Sequence, residues 1–113
     1  GAGKRGLSFN YVVWEHETGA ELYIDRGDTA EENKAIFDSL YAHKGDVEKA
    51  FGGELEWERL DTKRASRVRK TVSLGGWKDP EEWSDAQAAT VDAMIRLEKA
   101  LKPYIQTLDI EPA

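Results

Sequence analysis

Cysteine is absent from this 113-residue chain, which excludes disulfides, thiolate nucleophiles and cysteine-ligated metals and makes a reducing, cytoplasmic setting the expectation. Histidine is scarce: His16 and His43 fall in different elements with no second ligand at metal-binding spacing, so no metal site is expected. Neither histidine has a serine or cysteine nucleophile placed by a motif, no glycine-rich phosphate loop occurs, and no cofactor is expected. No apolar run approaches the ~18–20 residues that span a bilayer, which argues for no membrane partner. An initiator methionine and a leader-type apolar region are also lacking. The opening Gly1–Gly6 reads as a cloning scar and linker, and the chain as a piece of a longer protein. An excess of positive charge is missing as well: 16 Lys and Arg against 22 Asp and Glu give a net charge of -6. That balance argues against general nucleic-acid affinity as a whole-domain property, while leaving room for a local basic patch.

What is present suits one modest core. Hydrophobic residues make up 40% of the chain, including four Trp, four Tyr and three Phe, and charged residues 34%. The expected organisation is a linker over 1–6, a single domain over 7–108 and a tail over 109–113. In "LSFNYVVWEH" Leu7, Phe9, Tyr11 and Val13 alternate with Ser8 and Asn10, and in "AELYIDR" Leu22 and Ile24 alternate with Glu21 and Asp25. With "ETG" between them as the turn, this predicts an antiparallel hairpin. Asp28 as N-cap and Glu31 as its capping-box partner predict a helix start, and Ile36, Phe37, Leu40 and Tyr41 give it one apolar face. Asp46 caps a second, short helix through Val47, Ala50 and Phe51, which Gly52 and Gly53 end.

A second hairpin is predicted from "ELEWERL" and "ASRVRKTVSL", where Leu55, Trp57, Val68, Val72 and Leu74 alternate with charged or polar residues. Asp79, Pro80 and Glu82 then start a long helix. Its expected buried stripe is Trp83, Ala86, Thr90, Val91, Met94, Leu97, Leu101 and Tyr104, with an end or kink at Pro103. The resulting order, strand, strand, helix, short helix, strand, strand, long helix, predicts an α+β fold. It has two layers, a four-stranded mostly antiparallel sheet with the helices on one face.

Three constellations could carry chemistry. Glu15, His16 and Glu17, together with Asp25 and Asp28, offer carboxylates and a proton shuttle for a small enzyme, against the simpler reading of a solvated turn. Asp25 with Glu32 and Lys34 superficially resembles a magnesium nuclease pattern. A helical location for Glu32 and Lys34 explains it better as acidic residues opposing a helix dipole. The aromatic residues are the third. Trp14 is expected to be buried, with a contact surface as its alternative, and Trp57 and Trp83 to be core. Trp77 is expected to staple the start of the long helix, with an exposed partner anchor as the alternative.

Charge is segregated along the chain. Arg59 to Lys70 holds six basic residues and one acidic residue, a local +5, so the remainder carries -11. A hairpin closing near Thr62 and Lys63 sets Glu58 opposite Arg67 and Glu56 opposite Arg69, which largely neutralises the strand. Lys63, Arg64 and Lys70 are left unpaired in that arrangement. Lys63, Arg64, Arg67, Arg69 and Lys70 are therefore the candidates for phosphate contact.

The stretches "ELYIDRGDTAEENKAIFDSL" and "KGDVEKAFGGELEWERLDTKRASRV" resemble a bacterial and archaeal family known as domain of unknown function 4268, over most of the chain. Its pattern falls on Asn33, Val47, Glu48, Phe51, Gly52, Leu55, Trp57, Arg64, Ser66 and Val68, the last replacing an isoleucine. In that family the domain often follows a restriction-endonuclease-like region. The resemblance therefore implies a non-catalytic accessory role in a larger nuclease-like or defence protein, contacting DNA or a partner domain, and it brings no catalytic residues. Oligomerisation through the long C-terminal helix, with Ile95 and Ile105 as wider apolar positions, is the remaining alternative.

Overall fold

The computed structural model describes residues 1–112. Strands β1 (Leu7–Val13) and β2 (Thr18–Ile24) are followed by helices α1 (Ala30–Tyr41) and α2 (Lys44–Phe51). Strands β3 (Glu56–Glu58) and β4 (Ser66–Val72), a 3-10 turn at Pro80–Glu82 and helix α3 (Trp83–Gln106) complete the chain. The sheet order is β1-β2-β4-β3, antiparallel at every pairing. This is the expected α+β architecture, with the helices on one face of the sheet.

Alternation along β2 sorts its side chains between the two faces. Ala20, Leu22 and Ile24 are buried beneath the helices with Leu7, Phe37, Val47, Phe51, Val68 and Leu97. Gly19, Glu21 and Tyr23 point to the opposite, open face. Thr18 closes the helix-facing row through a 2.5 Å hydroxyl–hydroxyl contact with Thr90 of α3. The Thr90 hydroxyl donates to the Ala86 carbonyl, so Thr18 is the donor between the two, and both buried hydroxyls are satisfied.

Boundaries shift where a different side chain wins a backbone group. Thr29 caps α1, accepting from Glu32 N at 3.2 Å. Asp28, the expected cap, is instead drawn to Arg5. Helix α2 begins at Lys44, ahead of the expected Asp46, because the Val47 amide already finds the His43 carbonyl. Gly52 ends it in the left-handed conformation at φ 93°, as the sequence pattern requires. Gly19 is not part of the first turn, which is formed by residues 14–17. It lies in β2 beneath Trp14, whose ring would stand 3.2 Å from a Cβ at that position.

On α3 the buried stripe is Ala86, Thr90, Ala93, Met94, Leu97, Ala100, Leu101 and Ile105. Val91, expected inside, is exposed. Pro103 neither ends nor breaks the helix, which continues to Gln106. Burial of Leu101 and Ile105 on either side holds the last turn in place despite the lost N–H.

The N-terminal residues are hydrogen-bonded to the body of the domain. Ala2 N donates to the Leu7 carbonyl, Arg5 N to the Glu111 carbonyl and Asp25 N to the Gly6 carbonyl. Lys4 bridges Pro112. The φ of Gly6 is +84°, and a Cβ there would lie 2.6 Å from Arg26 Cα, so a side chain is excluded by backbone conformation and by space.

Candidate functional site on the open sheet face

Strand β4 brings its basic residues onto the open face in the expected register, Glu58 opposite Arg67 and Glu56 opposite Arg69. The side chains partner differently. Arg67 Nε donates to Glu58 Oε1 at 2.5 Å. Arg69 turns the other way, toward β2, and donates through Nε and Nη2 to Glu21 Oε1 at 3.1 and 2.9 Å. Glu21 stands directly across from Arg69. With side chains only 11% and 7% exposed, Arg69 and Glu21 form the most buried ion pair of the sheet. Trp14 covers the Arg69 guanidinium, with Cζ 4.8 Å from a ring centroid. Glu56 does not pair with Arg69 and accepts from Thr71 N and Oγ1 at 2.9 and 2.7 Å. The nearer, more buried carboxylate outcompetes the exposed one, because attraction strengthens as water is excluded.

Arg64, expected to be free, is held by both oxygens of Asp25, at 2.9 and 2.8 Å. This two-pronged bond lowers the Asp25 pKa below the ordinary carboxylate value, Arg64 being the main cause. Lys70 reaches the Glu54 carbonyl at 3.5 Å. Lys63 has no ion-pair partner among the described residues. Three of the five cationic candidates are therefore closed by carboxylates of the same domain, and Lys63 and Lys70 retain free charge.

Beneath Arg64 lies a polar clasp that joins α1 to the β3–β4 connection. Asn33, fully buried, accepts from Arg26 N at 2.9 Å and donates to the Arg64 carbonyl at 3.0 Å. Lys34 points inward, its Nζ donating to the Arg59 and Ala65 carbonyls, both at 2.6 Å, and to Ser66 Oγ at 2.8 Å. Burial pushes the Lys34 pKa down. Glu32 turns away to Arg26 at 2.6 Å. The superficial nuclease pattern of Asp25, Glu32 and Lys34 thus disperses into three separate structural bonds.

The carboxylate and histidine candidates divide between the two ends of β2, seven residues or roughly 20 Å apart. At one end His16 Nδ1 meets Asp79 at 3.0 Å, Glu15 pairs with Lys78 at 3.4 Å and Glu17 accepts from Ser73 at 2.9 Å. The Asp79 pKa is lowered, first by the Gly76 amide and then by His16. At the other end are Asp25 and Asp28, bound to Arg64 and Arg5. The five residues share no pocket, and no group of three metal-ligating side chains occurs among the described residues.

Apolar exposure concentrates elsewhere. Tyr11 (54% exposed) and Val13 (44%) of β1 and Val91 (42%) of α3 line a groove of about 210 Å³, with Ile95 (50%) one helical turn further on. Trp77 is 60% exposed beneath the Lys78 ammonium and is not the expected staple. The connection before α3 lies tight against the first turn: a Cβ at Gly76 would stand 2.0 Å from the Trp14 carbonyl oxygen, and Trp77 N and Lys78 N donate to the Trp14 and Glu15 carbonyls.

A family described as domain of unknown function, DUF4268, matches residues 1–105. The chain belongs to the DUF4268 family. No curated protein and no solved structure matches it. Within this DUF4268 domain the pattern positions have structural work. Asn33, Arg64 and Ser66 form the clasp. Val47, Phe51 and Val68 are core. Gly52 caps α2. Glu48 fastens α2 to β3, accepting from Leu55 N at 2.8 Å and Trp57 Nε1 at 3.2 Å, with its pKa lowered chiefly by the Leu55 amide. These residues therefore hold the β3–β4 hairpin against α1 and α2. Sequence reasoning missed Tyr11, Val13 and Val91 as surface, since alternation and helical spacing alone mark them as buried.

Proposed function

We propose that this domain is a non-catalytic accessory module of a larger nuclease-like or defence protein, working in a cytoplasmic setting, and that it acts by contacting protein. The observation that carries this reading is the exposure of Tyr11, Val13, Val91 and Ile95 along one edge, while Arg64, Arg67 and Arg69 end on carboxylates. An apolar groove rimmed by polar residues favours association with another polypeptide. Phosphate contact would require opening ion pairs that help hold the sheet. The nuclease-like setting rests on the family resemblance alone. A second reading, DNA contact through Lys63 and Lys70, is favoured only by the free charge of those two side chains.

A photoreactive side chain introduced at Val91, or at Lys63 as the comparison, separates the two. The expected result is a discrete protein adduct from position 91 and none from position 63. Adducts confined to position 63, or formed with nucleic acid, would overturn the proposal.

A further inference from the structure

The two edges of the sheet are treated unequally. Strand β3 is three residues long and carries Glu56 and Glu58, two of the devices that stop an edge from recruiting another strand. Strand β1 has seven residues, LSFNYVV, without a charge, a proline or a glycine. Its backbone polarity is also defined. Leu7 directs its N–H to the Lys4 carbonyl and its C=O to the Ala2 amide, both away from β2. Antiparallel alternation then turns the N–H and C=O groups of Phe9, Tyr11 and Val13 outward as well. These six groups have no protein partner among the described residues.

We infer that the β1 edge pairs with the β1 edge of a second copy of this chain, antiparallel about a two-fold axis through Tyr11, to form a continuous eight-stranded sheet. This rests on the reading of that edge as the contact surface. In this register Tyr11 exchanges two hydrogen bonds with its symmetry mate, and Phe9 and Val13′ exchange two at each side, six in all. Every outward group from Phe9 to Val13 is satisfied. The ladder stops at Leu7 because Ala2 and Lys4 already occupy it. On the helix-facing side the register pairs Tyr11 with Tyr11′ and Phe9 with Val13′, aromatic and β-branched combinations that favour strand pairing. Val91 and Ile95 extend the apolar contact beside them.

Charge permits a second copy at this position, and the self-complementary register is what selects it. Two chains of net charge -6 repel one another over most of their surfaces. The edge strand and the groove residues Gln87, Thr90 and Val91 are uncharged, and the antiparallel register sets the Phe9 end, beside Lys4, Glu98 and Lys102, against the uncharged Val13′ end.

Sedimentation equilibrium over a wide concentration range, combined with amide exchange, tests the pairing. The expected result is a 25.4 kDa species, twice 12.7 kDa, with protection of the Phe9, Tyr11 and Val13 amides that rises with concentration. Ser8, Asn10 and Val12 should be protected at all concentrations. Tyr11→Lys, at an exposed side chain, should weaken association at least tenfold without loss of fold by circular dichroism, whereas Lys63→Glu should leave it unchanged. A mass of 12.7 kDa at every concentration, or a dimer whose Phe9, Tyr11 and Val13 amides exchange freely, overturns the inference. A monomer that still gives a protein adduct at position 91 would reject the second copy and retain the contact surface for a different polypeptide. A monomer with no adduct would reject both.

Discussion

Glu21→Ala should destabilise the domain by about 3 kcal/mol, because it leaves the Arg69 guanidinium buried without its carboxylate. The Arg69 side chain is 11% exposed, lies under Trp14 and donates twice to Glu21. Its next carboxylate, Glu58, is 3.7 Å away and already engaged by Arg67. Thermal unfolding should shift down by roughly 10–20 °C for a domain of this size. The double variant Glu21→Leu with Arg69→Met should recover most of that loss, since an apolar pair of similar volume leaves no buried charge uncompensated. A single variant within about 0.5 kcal/mol of the parent in urea unfolding would show that Arg69 is adequately solvated without Glu21.

Lys34→Met should cost about 2–3 kcal/mol, in a different region and by a different cause. The Lys34 ammonium satisfies the Ala65 carbonyl and shares the Arg59 carbonyl with the Ser66 hydroxyl, which itself donates there at 2.7 Å. Methionine fills the space but leaves the Ala65 carbonyl without a donor. The connection it secures contains Leu60 in the left-handed region at φ 55°, a conformation costing an L-residue ~1–2 kcal/mol. Amide exchange should therefore accelerate across residues 60–65 before the sheet opens. Unchanged exchange in this segment would mean that the clasp does not hold the loop.

Much of this architecture was readable from residue order. The alternation of Leu22, Ile24, Trp57 and Val68 located three strands, and the glutamates of "ELEWERL" fixed the β3–β4 register correctly. Partner choice was not readable in the same way. Whether Arg69 takes Glu56 or Glu21 depends on β2 lying between β1 and β4, a long-range arrangement that no local period encodes. Arg64 finds Asp25 across 39 positions of sequence for the same reason. The N-cap of α1 shifted by one residue, Asp28 being drawn to Arg5, and that of α2 by three, because the chain already turns helical at His43. Exposure of Tyr11, Val13 and Val91 follows from β1 being an edge strand, which periodicity cannot distinguish from a central one. The candidate site changed in its partners: Arg69 took Glu21 in place of Glu56, Arg64 took Asp25 in place of standing free, and β1 stands at the edge of the sheet.

The most direct measurement of that conclusion is the affinity of the domain for duplex DNA as a function of salt. Each phosphate neutralised contributes about -0.9 to the slope of log K against log salt concentration. With Lys63 and Lys70 alone of the five candidates lacking a carboxylate partner among the described residues, the slope contributed by this face should be no steeper than about -2. Five available cations would give a slope of about -4 to -5, flattened by Arg67→Glu with Arg69→Glu, and that result would contradict a sheet face closed by its own carboxylates.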